Sequence, residues 1–185
     1  MGSELQDRPH RARTIALAAL IALAWLAIDQ ATKAAIEGSF AVGELVAGPY
    51  LGLVQFRLVH NTGMAWGLLD DSTLFLGVLS VVVVAALAVY LVAASARANL
   101  LETIGGALVI GGGLGNALDR FALGYVVDFI ETVFMDFPVF NVADIGVTCG
   151  FVAFIAGFLI HEHRLEQQER LMSAEAGPEE GAPVR

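Results

Sequence analysis

Residues 74–94 read LFLGVLSVVVVAALAVYLVAA, 21 residues without a charge. At about 1.5 Å of rise per residue, a helix of this length crosses a bilayer core of about 30 Å. The run reads as a membrane span, and the rest of the chain organises around it. Residues 14–28 form an earlier apolar run that Asp29 ends, and 103–118 and 142–160 form two later ones. Composition agrees with four spans: of the 185 residues 57% are hydrophobic and 16% charged, and the mean hydropathy is +0.71. Soluble domains carry charge on about a quarter of their residues.

The first run follows Arg8, Arg11 and Arg13, a pattern shared by cleavable signal peptides. Asp29 and Lys33 carry the helical pattern onward without a processing site, so the run is expected to stay as a first helix. The third run holds Gly105, Gly106, Gly111, Gly112, Gly113 and Gly115. In lipid such residues let helices approach closely, and Gly111 with Gly115 has GxxxG spacing. No Lys-Ser/Thr follows, which removes a phosphate-loop reading. Arg8, Arg11, Arg13, Arg97, Arg164, Arg170 and Arg185 fall on one side of the spans, and Lys33, Arg57 and Arg120 on the other. The positive-inside rule then predicts cytoplasmic termini and outward-facing segments 29–73 and 119–141. The chain divides into a cytoplasmic tail 1–13, a membrane domain 14–160 and a polar cytoplasmic tail 161–185. The insertion 40–70 is too long for a turn. Within it 53–59 alternates in part, with Val54, Phe56 and Leu58 on one face, and predicts a short strand at the membrane surface.

Several function classes are excluded. The net charge of −9 owes much to Glu162, Glu166, Glu169, Glu175, Glu179 and Glu180, which read as a solvated tail. No Lys/Arg stripe interleaved with aromatics is present, so no nucleic-acid partner is expected. The single cysteine, Cys149, allows no intramolecular disulfide and reads as a small buried hydrophobe. No Cys/His spacing suggests zinc, and neither a metal nor another cofactor is expected. His60, Asp70, Asp71, Glu131 and Asp136 read as solvated loop groups, and His161 and His163, just past a helix end, as interfacial or solvated ones.

Ionisable groups at membrane depth cost several kcal/mol unless paired or wet, so they read as functional by default. Asp29 and Lys33, at i and i+4, can pair at the end of the first span, as an ordinary interfacial ion pair or as part of a site. Asn61 with Gly63 suggests a tight turn offering backbone amides. Asn116 and Arg120 share a helix face, with Asp119 placed to balance Arg120 and to cap or orient the turn that follows. Asn141 is a good N-cap, and Asp144 three residues on can complete a capping box, which is one complete account of Asp144. The other account begins with Asp128, which ends the strand-like run 125–127. A short segment with Pro138 can return the chain so that the two carboxyls meet at the outer boundary. Two carboxyls that close share a proton. The ionised one can take a proton from water while the protonated one donates to a carbonyl oxygen. That is aspartic-protease chemistry, and it needs no metal. The rivals are a transporter using the pair as a cation or proton site, and a structural protein whose aspartates only cap and pair. The acids sit at span ends on one side and no broken-helix repeat is present, which weighs against transport.

Five blocks stand in one order: 29–33 (DQATK), 61–67 (NTGMAWG), 115–120 (GNALDR), 126–129 (VVDF) and 140–144 (FNVAD). Together they resemble the lipoprotein signal peptidase family, signal peptidase II, over about residues 14–160. The resemblance implies a membrane all-α fold of four transmembrane helices with a small extracytoplasmic β-cradle, which 40–70 would supply. It implies an intramembrane aspartic endopeptidase of the bacterial plasma membrane that cleaves prolipoproteins just before a diacylglyceryl-modified cysteine. Asp128 and Asp144 match its catalytic dyad. Asn61, Asn116, Arg120 and Asn141, with Gly63 beside Asn61, match residues placed around dyad and substrate. Asp29 and Lys33 match a polar pair beside the site. The implied partners are the lipidated precursor, membrane lipid and globomycin-type cyclic peptide inhibitors, and the chain is expected to act as a monomer. Met64 and Trp66 depart from the family's usual smaller residues or Phe, which bears on pocket shape rather than chemistry.

Overall fold

The computed structural model describes residues 2–63 and 72–175; Met64, Trp66, Asp70, Asp71, Glu179, Glu180 and Arg185 lie outside the described residues. Helices α1 (Gly2–Glu37), α2 (Thr73–Ala94), α3 (Leu100–Ala122) and α4 (Val142–Glu175) alternate with strands β1 (Leu45–Tyr50), β2 (Val54–Asn61) and β3 (Val126–Thr132). All four helices are long and apolar enough to cross a membrane. The exterior carries Leu20, Leu23, Phe75, Val82, Phe151 and Val152, while Asp29, Lys33, Glu102, Asn116, Asp119, Asp128 and Asn141 are buried. Such an arrangement is inverted for water and natural for lipid, where helices associate through close packing and hydrogen bonds rather than through apolar burial.

The glycine-rich α3 is the hub, packed against each of the other helices, while α1 and α2 barely meet. Its glycines explain this. Gly111 faces Ala22 and Trp25 of α1, Gly106 faces Leu91 of α2, and Gly105 faces Gly150 and Phe154 of α4. A Cβ on Gly111 would stand 2.6 Å from the Ala22 carbonyl oxygen, so helix backbones this close require glycine.

Helix ends differ from the apolar runs. The third span was expected from residue 103, but α3 starts at Leu100, because the Asn99 side chain accepts from Glu102 N at 3.0 Å and Glu102 accepts from Asn99 N at 2.8 Å. Most of the two polar tails is helical, since hydropathy marks the bilayer crossing and not the helix end. Strong helix formers such as Leu, Glu, Gln and Arg carry α4 onward to Glu175. His161, expected to be interfacial, lies within α4 with Nδ1 3.2 Å from buried Glu102, which also accepts from the Tyr90 hydroxyl. Cys149 is exposed rather than buried, because an apolar run does not say which of its faces borders a cavity.

The strands form an antiparallel sheet in the order β1-β2-β3. The insertion supplies two of them, and the third comes from the far side of two helices. Asp128 does not end its strand: β3 continues to Thr132, pairing Val59 with Asp128 and Gln55 with Glu131. Glu131 is therefore no solvated loop charge, and accepts from Arg57 Nε at 2.8 Å and Gln55 Nε2 at 2.6 Å. Nor is His60 a solvated loop residue. It lies in β2, its Nε2 is 2.9 Å from Glu37 at the end of α1, and its ring stacks on Tyr125 at 3.8 Å. Pairing partners remote in sequence decided both cases.

Candidate functional site

The return of the chain from β3 to α4 builds the site. Phe140 N donates to Ile130 O at 3.0 Å and Ile130 N donates back to Phe140 O at 2.8 Å. This bridge holds the next residue, Asn141, beside Asp128. The Asn141 side-chain amide donates to Asp128 Oδ1 at 2.7 Å, and its backbone N donates to Asp144 Oδ2 at 3.0 Å. Its Oδ1 accepts from Asp144 N at 3.0 Å, closing the expected capping box at the start of α4. The residue that caps α4 thus also bonds both carboxyls, and the cap sets where Asp144 stands.

Two further amides complete the surroundings. Asn61 Nδ2 donates to Asp128 Oδ2 at 2.8 Å, and the expected tight turn orients it, with Gly63 N donating to Asn61 Oδ1 at 3.0 Å. Asn116 Nδ2 donates to Asp144 Oδ1 at 2.7 Å. Each of the four carboxyl oxygens therefore accepts one N–H. Both carboxyls border a cleft of about 530 Å³ that Asn61, Gly63, Asn116 and Arg120 also line. Burial, followed by the charge of Asp144, pushes the Asp128 carboxyl up to about 7, although hydrogen bonds from Asn61 and Asn141 and the charge of Lys33 pull the other way.

Behind the carboxyls lies an ionic layer. Lys33 Nζ reaches Asp29 Oδ2, Asp119 Oδ2 and Asn116 Oδ1, each at 2.9 Å, which matches the three protons of an ammonium. Asp29 and Lys33 are 0% and 2% exposed, so this is not an ordinary interfacial pair. Asp29 Oδ1 accepts from Ala143 N at 2.8 Å, placing an α1 carboxylate at the N-terminus of α4, where the helix dipole favours it. Asp119 was expected to balance Arg120. Its charge pairs with Lys33 instead, because adjacent residues on a helix do not face each other, while its expected part in orienting the turn is seen in the bond it accepts from Val127 N at 3.2 Å. Arg120 donates to the carbonyls of Asn116 at 3.3 Å and Gly63 at 3.4 Å, and its buried Nε has no hydrogen-bond partner among the described residues.

Two positioning residues escaped the sequence reading. Gln30 Nε2 donates to Asp119 Oδ1 at 3.0 Å and Gly115 O at 3.3 Å, and Trp25 Nε1 donates to Val142 O at 3.2 Å. Gln30 carried a signal, as a polar residue between Asp29 and Lys33; Trp25 carried none beyond its polar ring edge. Gly115 packs directly on the Asp29 carboxylate. Gly115→Ala is expected to push Asp29 off the α4 terminus and destabilise the fold by about 1–3 kcal/mol. Thermal unfolding in detergent checks this, and an unchanged midpoint would remove the contact from the site. Among the described residues no group of three or more His, Cys, Asp or Glu could hold a metal ion.

The family model described as "Signal peptidase (SPase) II" matches residues 21–160. The lipoprotein signal peptidase of Shouchella clausii is 37% identical over 155 residues, covering 83% of this chain and 100% of the relative. That of Enterococcus faecalis is 36% identical over 143 residues, covering 74% and 86%. A bacterial membrane enzyme solved by the in meso method at 2.3 Å resolution superposes with a TM-score of 0.69 and 30% identity over 89% of this chain and 93% of that one. A second, solved by the same method at 1.9 Å, has a TM-score of 0.68 and 34% identity over 77% and 92%.

Proposed function

The chain belongs to the signal peptidase II family, and from that premise we propose that it removes signal peptides from diacylglyceryl-modified prolipoproteins, cutting before the lipidated cysteine with Asp128 and Asp144 as an aspartic dyad. The observation that carries this reading is the bridging of the two carboxyls by one residue, Asn141, at the edge of one cleft. Two carboxyls so placed hold a single shared proton, which belongs to the pair rather than to either residue. The ionised member takes a proton from water as the water attacks the scissile carbonyl carbon. The protonated member gives its proton to the carbonyl oxygen. Collapse of the tetrahedral intermediate returns that proton and passes the other to the leaving amine. Asn61 and Asn116 hold the carboxyls in place, Arg120 lends the cleft a cation, and Lys33 with Asp29 fixes the assembly from behind. The apolar cleft wall of Val126, Phe137, Val139, Phe140 and Ile145 suits small apolar signal-peptide residues and the lipid on the cysteine.

The experiment is cleavage of a diacylglyceryl precursor in mixed micelles, with and without globomycin, across pH. The proton that the mechanism needs stays bound below about 7 and leaves as pH rises through that value. The rate is then expected to fall by about tenfold per pH unit on the alkaline side. A flat profile from pH 6 to 9, or cleavage untouched by globomycin, would sink the proposal. A transporter would instead show ion flux in liposomes and no cleavage.

Family membership supports a bacterial plasma-membrane location, and the asymmetry of basic residues supports cytoplasmic termini with the sheet outside. Leu51, 95% exposed at the β1–β2 tip, marks that side. Leu51→Cys in a Cys149→Ser background is expected to react with an impermeant thiol reagent added to intact cells; reaction from the cytoplasmic side alone would reverse the orientation.

A further inference from the structure

Two cavities lie at the end of the bundle away from the dyad. One, of about 190 Å³, is an apolar groove between α1 and α2 with α3 as its floor, lined among others by Ala18, Ala22, Ala88, Leu91 and Ile110. The other, of about 270 Å³, lies where the start of α1 meets the α2–α3 connection, and includes His10, Arg13 and Asn99. Thr14 and Thr103 line both, so the polar cavity and the apolar groove share a wall. The groove stays open because α1 and α2 each pack on α3 and hardly on one another.

Charge and length together identify an occupant. Arg13 forms no ion pair among the described side chains, and the Asn99 amide is already used by Glu102 N and the Gly157 carbonyl. His10 and Arg13 are therefore the groups available to a ligand, and an anion suits them. From Arg13 to Ala22 the helix rises by roughly 14 Å, about half of a bilayer core of about 30 Å, so the groove has the depth of one leaflet. A free phosphate would leave the groove empty, and a zwitterionic lipid would bring its own cation up against Arg13. We infer that this cavity binds one anionic glycerophospholipid of the leaflet opposite the dyad, with its phosphate between His10 and Arg13 and one acyl chain in the α1/α2 groove. The lipid would brace α1, the helix that carries Trp25, Asp29 and Lys33 to the site. The inference rests on the membrane fold and not on the proposed reaction.

The test is native mass spectrometry of the full chain released from detergent containing phosphatidylglycerol, phosphatidylcholine or inorganic phosphate. One phosphatidylglycerol per chain is expected to be retained roughly tenfold more than phosphatidylcholine, in keeping with the attraction of basic residues for acidic lipid. Retention is expected to be lost in Arg13→Gln/His10→Gln, which removes the mouth, and in Ala18→Phe, which fills the groove. Both changes lie far from the dyad and leave it intact, and Arg13 is on the surface, so its variant reports on binding without disturbing the fold. Equal retention of the two lipids, or retention unchanged in both variants, would overturn the inference. Displacement by inorganic phosphate would reduce the site to an anion site, and a doubled mass that Ala18→Phe abolishes would assign the groove to a second copy; either result also overturns it.

Discussion

Asp128→Asn is expected to lower kcat for prolipoprotein cleavage by about 10³–10⁴-fold while the chain still folds and inserts. Asparagine keeps the shape of the side chain but can neither take nor deliver the proton that the reaction passes. Two amide groups, from Asn61 and Asn141, donate to the two Asp128 oxygens. An asparagine there has one oxygen to offer, so one donor is left facing an NH₂, at a cost of about 1–3 kcal/mol. Loss of a buried charge offsets part of that, and KM is expected to stay near its original value because the cleft walls are unchanged. Asp144→Asn should differ in a telling way. Asp144 also caps α4 by accepting from Asn141 N, so this variant is expected to lose stability as well as activity. The measurements are single-turnover cleavage of a lipidated precursor and thermal unfolding of each variant. Near-normal cleavage by either would dissolve the dyad and leave Asp144 as a cap.

The second large effect is expected at Lys33. Lys33→Met leaves Asp29 and Asp119 buried without their shared cation, and breaking a buried ion pair from one side destabilises by about 3–5 kcal/mol. Neutralising both partners as well, in Asp29→Asn/Lys33→Met/Asp119→Asn, should recover part of that loss, since most of it is the penalty of unpaired charge. The same substitution has a catalytic signature with a definite sign. Lys33 favours the ionised form of Asp128, so its removal raises that carboxyl beyond about 7 and moves the alkaline fall in rate to higher pH. An unfolding midpoint in Lys33→Met equal to that of the parent would mean that the lysine is wet in the membrane and the ionic layer is not structural.

Much of this was legible beforehand, for identifiable reasons. An uncharged run such as 74–94 reads as a membrane span because its 21 uncharged, mostly apolar residues match the thickness of a bilayer core. The capping box at Asn141 and Asp144 and the turn at Asn61 and Gly63 are local, closing within three residues, so spacing alone announced them. Polar residues in otherwise apolar spans stood out for the same energetic reason that makes them rare. What stayed hidden depended on partners distant along the chain. The Glu37–His60–Tyr125 cluster, the Arg57–Glu131 pair and the Tyr90–Glu102–His161 cluster each join elements that sequence spacing cannot bring together.

Residues 74–94 and the five polar blocks, taken by themselves, determined a four-span membrane protein whose ionisable residues gather near one end. The pairing of those residues was decided only by the tertiary structure. Asp119 turned to Lys33 rather than to Arg120, and Asp29 came to cap a helix 114 residues away, because α3 is bare enough in glycine to let α1 and α4 close against it. Chain spacing limits which groups are neighbours within a helix. Only backbone packing at that distance decides which helix faces, and so which charges, meet.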